Sequence, residues 1–137
     1  MAKTSLSLAG LARATAVHVG FAFLFMGGWA LFANRAHGWG AVGPALAQGA
    51  MSGFITLVLK HSLEGISRRM RGPAAYVAPP VISAATILTL LIVVHGLIGT
   101  PEIAATIAVP WSVSTLYAIV YAATLARARK AVEIDAG

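Results

Sequence analysis

Cysteine is absent from this 137-residue chain, which excludes a disulfide, a thiolate metal site and a cysteine nucleophile. Acid is scarce: four Asp and Glu stand against ten Lys and Arg. No charged side chain of either sign falls inside the long apolar stretches, so the membrane-buried carboxylate that proton-coupled exporters employ is missing. Phosphate-binding loops, nucleophile elbows and zinc motifs are missing too. These gaps argue against an enzyme, and neither a cofactor nor a metal is expected.

What remains is apolar. With 58% hydrophobic residues, 10% charged and a mean hydropathy of +0.82, the chain has more apolar surface than a small soluble core could hide. Lipid is the solvent such a chain needs. Four uncharged stretches, 14–34, 38–59, 72–101 and 103–126, each supply the ~20 residues that a spanning helix requires. Lys3 and Arg13 ahead of the first stretch give it the look of a secretory signal, but it follows directly from Met1 and is expected to be retained as a span. The expectation is an all-α, polytopic membrane protein, a single four-helix bundle built from two antiparallel hairpins.

Basic residues near the helix ends set the orientation. An inside N-terminus places Lys3, Arg13, Lys60, Arg68, Arg69, Arg71, Arg127, Arg129 and Lys130 on the cytosolic side and leaves only Arg35 outside. Both termini are therefore expected in the cytosol. A three-span or five-span chain would put one basic cluster on the wrong side.

Residues 1–12 carry Leu6, Leu8 and Leu11 among Ser and Gly, a weakly amphipathic lead-in along the inner interface. The first helix is expected over about 14–33, followed by a tight outer turn, NRAHGWG, with Trp39 at interfacial depth. The second is expected over about 41–60. Leu59, Leu63, Ile66 and Met70 then continue at helical spacing, with Glu64 four residues before Arg68, as a basic amphipathic extension to about residue 71. The following GPAAYVAPP is expected to break the chain at Pro73, Pro79 and Pro80. The third helix is expected over about 81–98. Thr100, Pro101 and Glu102 read as a start of the fourth, over about 101–129, with a capping hydroxyl, a first-position proline and an acid at the positive dipole end. The closing AVEIDAG reads as a frayed tail. A shift of 66 residues lays the first helix on the third, the second on the fourth and Pro44 on Pro110, as in a parallel repeat, although any two hairpins of similar length give some such match.

Several residues invite a role. Ala41, Ala45, Gly49 and Gly53 recur every four residues and make one smooth face for close helix approach, with Gly20 and Gly28 as a counterpart on the first helix. Such a face serves packing within one subunit or contact in an oligomer. Gln48 and Ser52, one turn apart inside the membrane, need hydrogen-bond partners, either from another helix or from a substrate. Pro110, and Pro44 at the matching position, are candidate kinks. Ser114, Tyr117 and Tyr121 below Pro110 put hydroxyls on one face, as a transport path would. His18 and His61, or His37 and His95, are the pairs that could face each other across the bundle, but His18 and His95 lie at opposite depths and cannot share one iron. A haem or quinone carrier is thus the weakest of three readings. The basic belt of Lys60, Arg68, Arg69, Arg71, Arg127, Arg129 and Lys130 suits anionic lipid heads before nucleic acid, and it also orients the protein. Two functions lead: a small carrier or flippase-like protein for a lipid or lipid-linked anion, working as a homo-oligomer, and a non-catalytic subunit of a larger membrane complex. The Ala-, Gly- and Arg-rich usage makes the bacterial inner membrane the expected address.

Overall fold

The computed structural model describes residues 8–135, with backbone alone at positions 8, 9 and 11. Lys3 and Leu6 of the lead-in lie outside the described residues. Four helices account for nearly all of the rest: α1 (Leu8–Ala33), α2 (Val42–Arg69), α3 (Ala74–Leu97) and α4 (Ile103–Asp135). A 3-10 segment, Arg35–Ala41, joins α1 to α2. All four helices are long and apolar enough to cross a membrane.

The buried positions repeat every four residues on three of the helices. On α3 they are Ala75, Pro79, Ser83, Ile87, Leu91 and His95; on α4, Thr106, Pro110, Ser114, Ala118, Ala122 and Ala126; on α2, Ile55, Leu59, Leu63 and Ser67. Each row is an i, i+4 ridge, and such ridges seat in the grooves of a neighbouring helix. The apolar core forms where they meet, from Ile55, Leu59, Leu63, Ile87, Leu91, Ile107 and Ala118, with Trp111 and Tyr121 packed against it. α2 and α4 sit at the centre, each touching all the other helices, while α1 and α3 do not meet. α1 is therefore the least covered helix, with Phe21, Leu24, Phe25 and Phe32 facing outward.

Several boundaries differ from those the sequence suggests. α3 begins at Ala74, not near residue 81, and runs straight through Pro79 and Pro80. Proline's fixed φ is itself helical, and the hydrogen bonds it removes belong to the carbonyls of Ala75 and Tyr76, close to the helix start where water and lipid heads can take them. Pro44 lies in the first turn of α2, where its missing N–H would have had no intrahelical partner, so no kink is required there. α2 and its basic extension form one unbroken helix. The AVEIDAG segment is helical to Asp135 rather than frayed, and α1 starts six residues earlier than position 14.

The small-residue face of α2 packs against α1. A Cβ on Gly49 would come within 2.9 Å of the Phe23 carbonyl oxygen, and one on Gly53 within 3.2 Å of Val19 Cγ1. The counterpart on α1 is Gly27, whose Cβ would meet the Ala45 carbonyl oxygen at 2.9 Å. Gly20 and Gly28, expected to fill that part, have nothing within 4 Å of such a Cβ. They lie off the contact because Phe23 and Gly27, themselves four apart, form the ridge that meets α2.

Candidate functional site

Polar groups gather at two ends of the bundle. At the Trp39 end, α3 stops at Gly99, whose φ of 69° only glycine adopts cheaply. The Gly99 N–H reaches the Gly96 carbonyl and the Thr100 N–H reaches the His95 carbonyl at 2.9 Å. This closed turn folds Thr100 back over His95, and its hydroxyl donates to His95 Nδ1 at 2.7 Å instead of capping α4. His95 Nε2 donates to Gln48 Oε1 at 2.9 Å, and Gln48 Nε2 donates to Ser52 Oγ at 2.9 Å. A carbonyl oxygen only accepts, so this arrangement puts the imidazole proton on Nε2 and leaves Nδ1 free to accept from Thr100. All four side chains are buried. The pair from α2 thus finds a partner from α3 in His95.

Beside this chain, Asn34 performs the capping that Thr100 does not. Its Oδ1 accepts from the Glu102 N–H at 3.0 Å, and its Nδ2 donates to Thr106 Oγ1 at 2.7 Å and to the Ala30 carbonyl at 2.9 Å. One buried amide therefore ties α1 to the first turn of α4. Trp29 Nε1 adds a second tie, to the Ala105 carbonyl at 2.9 Å. On the surface His37 meets Glu102 at 3.2 Å, an acid that the His37 and His95 pairing suggested by the sequence did not include. His18 donates back to Ala14 of its own helix, while His61 is exposed. Among the described residues no three His, Asp or Glu side chains come together as a metal site would need.

The hydroxyls expected on one face of α4 have separate surroundings. Ser114 donates to the Pro110 carbonyl at 2.8 Å, Tyr117 is exposed and stacked on Tyr121, and the Tyr121 hydroxyl donates to Glu64 Oε1 at 2.7 Å. Glu64 stands on the extension of α2, beyond the residues needed to cross a bilayer. Its carboxyl is held below the ordinary 4.5, first by the Tyr121 hydroxyl and further by Lys60, His61 and Arg68, with burial opposing.

At the Arg71 end, the C-terminus of α2, the turn after it, the start of α3 and the last turns of α4 enclose a cleft of about 690 Å³. Arg68, Arg71, Arg129 and Lys130 line it, with Tyr76 and a single carboxylate, Glu133. Arg129 Nη1 also donates to the Ser67 carbonyl, fixing α4 against the end of α2. Arg68 makes one loose pair, 4.0 Å from Glu64. Among the described residues, Arg71, Lys130 and Glu133 make no ion pair. Lys60, Arg69 and Arg127, also in the basic belt, are exposed and do not line the cleft. A second cavity, about 260 Å³, lies between α2 and α3 and is almost wholly apolar.

Against family models, curated proteins and solved structures, this chain finds no match.

Proposed function

We propose that the chain is a four-span protein of the bacterial inner membrane, two antiparallel hairpins with both termini in the cytosol, that binds the head of an anionic lipid or lipid-linked anion at its cytosolic face. The observation that carries this is the cleft at the Arg71 end. Four cations from three segments of the chain converge there around one carboxylate, and each cation near an anionic head is worth about 1 kcal/mol. Orientation alone would need the charges on that side but not their convergence on a cavity.

Movement of the bound lipid, as a carrier or flippase, would take more than one copy or a partner protein, since Gln48, Ser52 and His95 are bonded to one another and Ser112 and Ser114 to their own helix. The exposed apolar face of α1 offers such an assembly its surface and also favours the second reading, a non-catalytic subunit of a larger complex. Native mass spectrometry with phosphatidylglycerol against phosphatidylcholine tests the site. Wild type is expected to retain the anionic lipid, and Arg71→Gln with Lys130→Gln to lose the preference. Equal retention of both lipids by wild type would remove the site. A stoichiometric partner on purification from the native membrane supports the subunit, and a homogeneous homo-oligomer the carrier.

A further inference from the structure

Helix dipoles account for only one of the four cations around the cleft. Carbonyls at a helix C-terminus favour cations within the last turn. Arg68 stands there on α2, but α2 ends at Arg69, so Arg71 lies beyond it. α4 runs on to Asp135, five residues past Lys130, which leaves Arg129 and Lys130 outside its last turn.

The four also differ in what already holds them. Arg129 donates to the Ser67 carbonyl, and Arg68 stands 4.0 Å from Glu64. Arg71 and Lys130 make no ion pair among the described residues. The uncommitted cations therefore number two, and they come from separate segments, the turn after α2 and the body of α4.

Charge and space agree with that count. With Glu133 as the single acid, the lining carries a net of three positive charges, and one phosphodiester balances only one of them. The four oxygens of a phosphate, each given the ~30 Å³ of a water molecule, fill about 120 Å³. A cleft of about 690 Å³ holds more than one such group.

We propose that the cleft receives a head bearing two phosphate groups, one opposed by Arg71 and the other by Lys130. This rests on the headgroup reading above and narrows it from any anionic head to a doubly phosphorylated one. Two linkages supply that chemistry in a membrane: phosphates bridged by glycerol, as in phosphatidylglycerol phosphate, and phosphates joined directly, as in a polyisoprenyl diphosphate.

Native mass spectrometry of the full chain in detergent tests this with two matched pairs, phosphatidylglycerol phosphate against phosphatidylglycerol and polyisoprenyl diphosphate against its monophosphate. Within each pair the apolar chains are the same, so only the second phosphate differs. At least one two-phosphate lipid is expected to bind about fivefold tighter than its partner, the worth of one more cation engaged, and the pair that shows it assigns the linkage. Arg71→Gln and Lys130→Gln, made singly, are each expected to abolish that advantage while phosphatidylglycerol still outbinds phosphatidylcholine. Arg69→Gln with Arg127→Gln removes two cations from outside the cleft and is expected to leave the advantage whole. All four positions are exposed, so none of these variants disturbs the packing of the bundle. No advantage in either pair, an advantage that survives both single variants, its loss in the Arg69 and Arg127 variant, or inorganic pyrophosphate binding as tightly as the two-phosphate lipids would each overturn the inference. If wild type still prefers phosphatidylglycerol to phosphatidylcholine under those results, the headgroup reading stands and only the second phosphate falls; if it does not, both fall.

Discussion

Gly27 and Gly28 are neighbours in sequence with opposite surroundings. A side chain at Gly27 collides with the backbone of α2, which cannot retreat without unpacking the helix pair, while one at Gly28 meets open space. Gly27→Ala is therefore expected to cost about 1–3 kcal/mol. Gly28→Ala should be neutral or mildly stabilising, because alanine is the better helix former. Thermal denaturation in detergent separates the two, and equal effects would mean that α1 does not meet α2 through this face. The buried chain around His95 yields a second prediction. Gln48→Leu strands His95 Nε2 and Ser52 together and should destabilise by about 1–3 kcal/mol. Combining it with His95→Leu removes both ends of the central bond, so the double variant should lose less than the sum of the single losses.

Where α2 passes α4, the bond between Tyr121 and Glu64 couples two elements and depends on pH. The folded carboxyl lies below its ordinary 4.5, so the ionised form favours the fold. That contribution is whole above the ordinary value and fades as pH falls through the lower folded one. Wild type should accordingly outlast Glu64→Gln in thermal unfolding at neutral pH, with the gap closing in acid; a gap constant across that range would deny the coupling. The helices themselves were legible in the sequence because apolar runs of spanning length have few other uses. Their ends were less so. Pro79 and Pro80 read as breakers, yet a proline pair near a helix start sacrifices carbonyls only where solvent can replace the bond. Thr100 read as a cap, but the turn at Gly99 brought it to His95 first. Periodicity on one helix identifies a face without identifying the opposing residue, which is why Gly49 was visible and its counterpart Gly27 was not. Asn34, in a segment read as a plain turn, gave no sign of its reach to Thr106.

At the scale of the whole chain, the proposed four spans, an even number, predict which sites share a compartment. Single cysteines introduced at Arg69 and Arg129 should be modified from the same side of sealed vesicles, and one at Trp39 from the other, on a background with no native thiol to confuse the readout. Labelling of positions 69 and 129 from opposite sides would refute the topology. The cationic convergence could be read from the sequence only as a belt: that Arg68, Arg71, Arg129 and Lys130 surround one cleft while Lys60, Arg69 and Arg127 do not depends on how α4 lies against the end of α2, and no local pattern encodes that. One further consequence follows from the amide of Asn34. It completes the first turn of α4, a helix made much later in synthesis than α1, so α4 reaches its final form only against an α1 already in place. Assembly then has a direction, and the α1–α2 and α3–α4 hairpins, expressed apart, would each leave a polar end unfinished until they met.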